Sequence, residues 1–168
     1  TGLDARSDEL AAVLTAHGVR RGDVVAIALP RGEHWPLAVW AVTKLGAAWV
    51  SVDRSQPEAR IAAILRDARP RVGITLGPCD LGYLTWIDPT EEPTLVLETV
   101  APPRIDLTVD DLAYLVYTSG TTGTPKGVEV THRGLTALLE LQRTTLGLDD
   151  GARVLQVASH TFDAAVFE

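Results

Sequence analysis

Ten consecutive residues hold most of the chemistry this chain can do: Thr118-Ser119-Gly120-Thr121-Thr122-Gly123-Thr124-Pro125-Lys126-Gly127. The three glycines let the backbone approach a ligand closely and turn successive N–H groups inward. The five hydroxyls add donors that rotate to meet phosphate oxygens. Lys126 brings a full positive charge, and it is a scarce residue here: of 15 Lys and Arg only Lys44 and Lys126 are lysine, leaving 13 arginines. Together these are the parts of a triphosphate cradle. The stretch is not a Walker A loop, because Pro125 stands where the GxxxxGK spacing needs glycine. A plain serine/threonine/glycine turn between two strands has a similar composition. Phosphate binding is favoured because hydroxyls, glycines and the scarce lysine are packed together beside an apolar run.

The other candidates are sparser. Asp163 lies between Phe162 and Ala164 in an apolar stretch, where an ionised carboxylate is expensive to bury unless paired. The alternative is an exposed aspartate at a helix start, favoured by the helix dipole. His132 and His160 have no carboxylate or cysteine partner visible in the sequence and are read as structural or surface residues. Cys79, the single cysteine, excludes an internal disulfide framework and any zinc spacing, and has no basic neighbour to activate it. Trp35, Trp40 and Trp49 are assigned to core packing. Asp110-Asp111 and Glu91-Glu92 are assigned to solvated faces.

The elements that must carry these residues alternate. Helical spacing covers Leu3 to His17, with Gly18 as the stop. Val24 to Leu29 is a continuous apolar run, as in a strand buried on both faces. Pro36 opens a helix through Lys44, with Gly46 beyond it. Ala48 to Val52 is a second strand. Ser55 reads as a cap, with Pro57 in the first turn and Ile61, Ile64 and Leu65 as the buried stripe. Val72 to Leu76 is a third strand. This alternation predicts βαβ units with a largely parallel sheet flanked by helices. The region from Gly77 to Pro103 is irregular and reads as a surface connection, with Thr94 to Leu97 as a short strand candidate. Strands follow at Leu112 to Tyr117 and Val128 to Thr131. A helix then starts with Thr131 as cap and covers Leu135, Leu138, Leu139 and Gln142, and Val154 to Ala158 closes with one more strand.

Composition bounds the function. The 168 residues are 46% apolar, enough for a core, which excludes disorder as the dominant state. A net charge of −7 argues against non-specific binding to nucleic acid or anionic membranes. The apolar runs are too short to cross a bilayer and the first residues do not form a signal peptide, so the expected location is cytoplasmic. Methionine is absent, and the chain finishes on the apolar pattern of Ala164 to Glu168. The expectation is a piece of a longer protein.

Leu112-Ala113-Tyr114-Leu115-Val116-Tyr117 and the loop after it resemble the phosphate-loop motif of adenylate-forming enzymes, above all the amino-acid adenylation domains of non-ribosomal peptide synthetases. Lys44-Leu45-Gly46-Ala47-Ala48-Trp49-Val50-Ser51-Val52-Asp53, continuing to Pro57 and Arg60, resembles an earlier structural motif of that family. Ser51 and Arg54 stand where the family often has prolines. Phe162-Asp163-Ala164-Ala165-Val166-Phe167-Glu168 resembles the start of its substrate-pocket motif. The resemblance implies that residues 1–168 are a partial N-terminal (large) subdomain, truncated at both ends.

The resemblance also implies roles. Thr118, Ser119, Gly120, Thr121, Thr122, Gly123 and Lys126 would hold the β and γ phosphates of ATP. Asp163 would pair with the α-ammonium of an amino-acid substrate, and Ala164 and Phe167 would line an apolar pocket for a hydrophobic side chain, valine-like being one possibility. The magnesium ligand and the catalytic lysine would lie beyond Glu168, leaving no catalytic residue and no metal ligand in this stretch, and the isolated chain inactive. The implied partners are a phosphopantetheine-bearing peptidyl carrier domain and a condensation domain, as in antibiotic biosynthesis. The competing expectations are an acyl- or aryl-acid coenzyme A ligase of the same superfamily and a non-catalytic, truncated nucleotide-binding module.

Overall fold

Each apolar run read as a buried strand in the first half of the chain takes its place in one sheet. A computed structural model of the chain describes residues 2–91, 105–119, 125–148 and 151–167. Its strands are β1 (Val24–Ala28), β2 (Ala48–Ser51), β3 (Val72–Thr75), β4 (Trp86–Ile87), β5 (Leu112–Ser119) and β6 (Pro125–Thr131). They form a sheet in the order β4-β3-β1-β2-β5-β6. Every neighbouring pair is parallel except β5 and β6, which form an antiparallel hairpin. The helices are α1 (Gly2–Ala16), α2 (His34–Lys44), α3 (Glu58–Ala68), α4 (Leu135–Leu146) and the single turn α5 (Ala164–Phe167). The largely parallel sheet flanked by helices matches the sequence reading.

The two faces of the sheet divide the core by strand alternation. Val25 and Ile27 of β1 and Val72 and Ile74 of β3 face α1 and α2, where Leu10, Leu14, Leu37 and Val42 complete one cluster. Ala26 and Ala28 of β1 with Ala48 and Val50 of β2 face α3, which returns Ile61, Ile64, Leu65 and Ala68. The small residues on that face leave room for the three bulky side chains of the α3 stripe. Gly46 ends the α2 connection at φ +63°, and a Cβ there would come 3.0 Å from the Arg21 side chain and 3.1 Å from Ile105. That position therefore favours glycine on both conformation and space.

Several expectations need correction. Ser55 is not the α3 cap: Pro57 holds that place, and the Ser55 N–H and hydroxyl both donate to Asp53 at 2.9 and 2.7 Å. Trp40 is 53% exposed, on the solvent side of α2, while Trp35 and Trp49 are in the core. The irregular region contains a strand, β4, too short to leave a periodic signal. Val154 to Ala158 forms no strand: no strand among the described residues pairs with it, and Val154, Leu155 and Val157 are exposed. A strand needs a neighbour to take its N–H and C=O groups, and periodicity cannot supply one. Thr131 does precede a helical turn, the 3-10 segment His132–Gly134, but its side chain makes no cap bond and α4 begins at Leu135. Thr94 to Leu97 lies outside the described residues.

Candidate functional site

The hairpin that carries the loop overhangs the carboxyl edge of the sheet. β5 pairs with β2 only through Trp49↔Tyr114 and Val50↔Leu115. Beyond that point its partner is β6 alone, in the register Tyr117↔Gly127, Thr118↔Lys126 and Ser119↔Pro125. Ligands of open α/β sheets bind outside this edge. Thr118 and Lys126 are thus directly opposite each other, both exposed, and among the described residues Lys126 makes no ion pair. Gly120, Thr121, Thr122 and Gly123 lie outside the described residues. A hydroxyl and an uncommitted ammonium side by side at a sheet edge are a donor set that fits a phosphate chain.

The stem below is locked by Tyr117. Its ring crosses Gly127, where a Cβ would come 3.0 Å from the ring's Cζ and Oη atoms. Its hydroxyl donates to Asp67 of α3 at 2.7 Å. Burial and then the Asp67 carboxylate hold the phenol far above its ordinary value, so it stays protonated and donating. Gly127, read in the sequence as phosphate-loop backbone, is therefore also the space that lets Tyr117 clamp the hairpin to α3.

Asp163 stands exposed at the head of α5, so its carboxylate is available to a ligand and escapes the burial cost that its apolar neighbours suggested. Ala164 is exposed beside it, while Ala165, 2% exposed, anchors the turn to the core. For Phe167 only the backbone place, the last position of α5, is described. Burial pushes the Tyr114 phenol up, and the Asp163 carboxylate adds to the shift, which places Asp163 within electrostatic reach of β5. Tyr114 and Thr118 lie on one face of that strand, four residues or about 13 Å apart at ~3.3 Å per residue.

An aromatic row ties these parts together; the sequence reading assigned its Trp35 and Trp49 to core packing and its His160 to a structural or surface role. His160 stacks on Trp35 at 4.3 Å, Trp35 meets Trp49 edge-on at 5.5 Å, and Trp49 stacks on Tyr114 at 4.8 Å. Ser51, at one of the two positions that depart from proline, accepts the Trp35 indole N–H at 3.4 Å. Arg54, at the other, donates to the Thr75 hydroxyl and to the carbonyls of Leu76 and Pro78, joining the ends of β2 and β3. A cleft of about 710 Å³ opens at this edge, lined by Leu29, Arg31, Asp53, Arg54, Ser159 and His160 among others. Among the described residues no cluster of three or more His, Cys, Asp or Glu could hold a metal ion. No helix among them is long and apolar enough to cross a membrane.

The family model described as AMP-binding enzyme matches residues 1–168. The chain belongs to the AMP-binding enzyme family. CymA of Salinispora arenicola, named as a probable non-canonical nonribosomal peptide synthetase, is 42% identical over 166 residues, covering 99% of this chain and 2% of CymA. One linear gramicidin synthase polypeptide of Brevibacillus parabrevis is 36% identical over 174 residues, again 99% of this chain and 2% of the relative. The NpsA N-terminal subdomain of Klebsiella oxytoca, in complex with 3-hydroxybenzoyl-AMSN, superimposes with a TM-score of 0.86 at 31% identity, over 99% of this chain and 42% of that one. AB3403, a four-domain nonribosomal peptide synthetase bound to AMP and glycine, gives a TM-score of 0.82 at 28% identity, over 99% and 12%. NpsA-ThdA, an artificial adenylation–PCP di-domain from Klebsiella oxytoca, gives 0.85 at 31%, over 99% and 34%. The chain therefore spans about 2% of the two synthetases and less than half of each solved chain, and its fold is that of the N-terminal subdomain of AMP-binding adenylation domains.

Proposed function

We propose that this chain is part of the large N-terminal subdomain of an amino-acid adenylation domain in a non-ribosomal peptide synthetase, bearing the phosphate loop and the start of the substrate pocket. The observation that carries this reading is the pairing of Thr118 with Lys126 on a hairpin beyond the sheet's carboxyl edge, with Asp163 within electrostatic reach of the same strand. In the complete enzyme a carboxylate oxygen of the amino acid attacks the α-phosphorus of ATP. The bond from that phosphorus to the bridging oxygen breaks, and pyrophosphate leaves with the electron pair. Charge grows on the leaving group, and donors already aimed at it stabilise it without reorganising. Thr118, Ser119, Gly120, Thr121, Thr122 and Gly123 would bring hydroxyl and backbone N–H donors to that role, and Lys126 a compact positive charge. Magnesium would add charge neutralisation on the phosphates, from ligands outside this stretch.

Asp163 takes the other end of the substrate. An exposed carboxylate near Tyr114 suits an α-ammonium group, and the separation along β5 suits an amino acid joined end to end with a triphosphate. Ala164 and Phe167, a small and an aromatic residue without charge, would line the pocket, which favours a hydrophobic side chain. The aminoacyl group then passes to the phosphopantetheine thiol of a carrier domain, as the NpsA-ThdA arrangement supports, with a condensation domain in the same or a partner chain and a cytoplasmic setting. The test is Asp163→Ala in the full-length protein, assayed with an amino acid and with the same acid lacking the amino group. A charge-assisted pairing of ~1.5–3 kcal/mol predicts a loss of about 10- to 100-fold for the amino acid alone. Equal losses, or none, would favour a simple carboxylic acid as substrate.

A further inference from the structure

We propose that Arg31 and Trp35, on the β1–α2 connection and the first turn of α2, are positioning residues for the amino-acid pocket, holding residues 157–160 so that Asp163 is presented at a fixed place. The inference rests on the reading of Asp163 given above. Residues 151–161 make no strand pairing among the described residues, and side chains of the β1–α2 connection and of α2 reach the segment at residues 157–160. The Arg31 guanidinium donates to the Val157 carbonyl at 2.7 Å and to the Ala158 carbonyl at 3.3 Å. Two donors from one planar group set both the place and the direction of that backbone. Two residues later His160 lies on Trp35, rings nearly parallel. Ser159 and Thr161 then join through their hydroxyls at 3.0 Å, and the Phe162 N–H closes a turn on the Ser159 carbonyl at 2.9 Å.

Trp35 is a stiff reference. It is buried, packed edge-on against Trp49, and Trp49 is stacked on Tyr114, the residue whose phenol feels Asp163. The upstream end of segment 160–163 and the carboxylate at its downstream end are therefore both measured against one aromatic row. Ala165 closes the segment by burial on the far side. Asp163 sits between two anchors, and releasing the upstream one lets it move while the phosphate hairpin, held by Tyr117 and Asp67, stays put.

The experiment uses the full-length protein with Arg31→Ala, His160→Ala and His160→Phe. In amino-acid-dependent pyrophosphate exchange, Arg31→Ala and His160→Ala should raise the KM for the amino acid about tenfold, because a displaced Asp163 forfeits part of its charge-assisted pairing. The KM for ATP should stay unchanged. His160→Phe keeps the stack and should restore the amino-acid KM, which a proton-transfer role for the imidazole would not allow. Parallel changes in both KM values, or His160→Phe as impaired as His160→Ala, would overturn the proposal. Hydrogen exchange reads the clamp without catalysis: amides 157–163 should exchange faster in Arg31→Ala while amides 112–117 do not change. Unaltered exchange at 157–163 overturns the positioning role. A wild-type protein that activates no amino acid, with the exchange change present, would instead sink the functional reading alone.

Discussion

Replacing Gly127 by alanine tests how the phosphate hairpin is built. The new Cβ would lie 3.0 Å from Cζ and Oη of Tyr117 and 3.2 Å from Cε1. Carbon contacts are comfortable at ~3.5–4.0 Å, so the ring must retreat by roughly half an ångström. It is not free to do so, because it is buried against α3 and bonded to Asp67 at 2.7 Å. Overpacking of this kind costs ~1–3 kcal/mol. Loss of glycine's freedom in the unfolded chain returns ~0.4–1 kcal/mol. The net expectation is a destabilisation of about 1–2 kcal/mol. With a urea slope of ~1–3 kcal/mol per molar, the midpoint of the N-terminal subdomain should fall by about 0.5–1 M. In a Tyr117→Leu background the Cζ and Oη atoms are gone, and the same substitution should be neutral or slightly stabilising. The double-mutant cycle thus predicts a coupling of about 1–3 kcal/mol, the overpacking cost alone. If Gly127→Ala costs the same in both backgrounds, ring contact is not the reason for glycine at this position.

Three further outcomes follow from other contacts. Gly73→Ala would drive a Cβ into the Trp86 ring, so the indole must leave its place on β4 and give up its 3.0 Å bond to the Leu81 carbonyl. A loss of about 3 kcal/mol, with red-shifted tryptophan fluorescence, is expected. Lys126→Ala should leave the thermal midpoint alone, because the residue is exposed, yet lower pyrophosphate exchange about 100-fold, as loss of a transition-state donor does. The Thr108 N–H and then the Arg21 guanidinium hold the Asp111 carboxyl below its ordinary value of 3.8. A depressed carboxyl contributes its stability above that ordinary value and loses it as pH falls through the lowered one. The gap in melting temperature between wild type and Asp111→Asn should therefore be constant at neutral pH and close below about pH 4.

Much of this fold is legible because buried parallel strands leave continuous apolar runs, as Val24–Ala28 and Val72–Thr75 do, and because α3 carries Ile61, Ile64 and Leu65 at helical spacing. What escapes is whatever depends on a neighbour. Val154 to Ala158 has strand chemistry but pairs with no strand among the described residues, while β4, with only Trp86 and Ile87, has a neighbouring strand without a pattern. Trp40 has the same residue type as Trp35 but the opposite side of one helix. The candidate site divides in the same way. Glycines, hydroxyls and a rare lysine within ten residues are visible as composition. That Thr118 faces Lys126, or that Arg31 grips carbonyls 126 and 127 positions away, is a product of folding and has no local signature.

The most direct test of amino-acid activation is ATP–pyrophosphate exchange by the full-length protein, screened against the proteinogenic amino acids one at a time. Exchange dependent on a hydrophobic amino acid, and lost with Lys126→Ala, is the predicted result. Absence of exchange with every amino acid, alongside activation of a plain carboxylic acid, would contradict it.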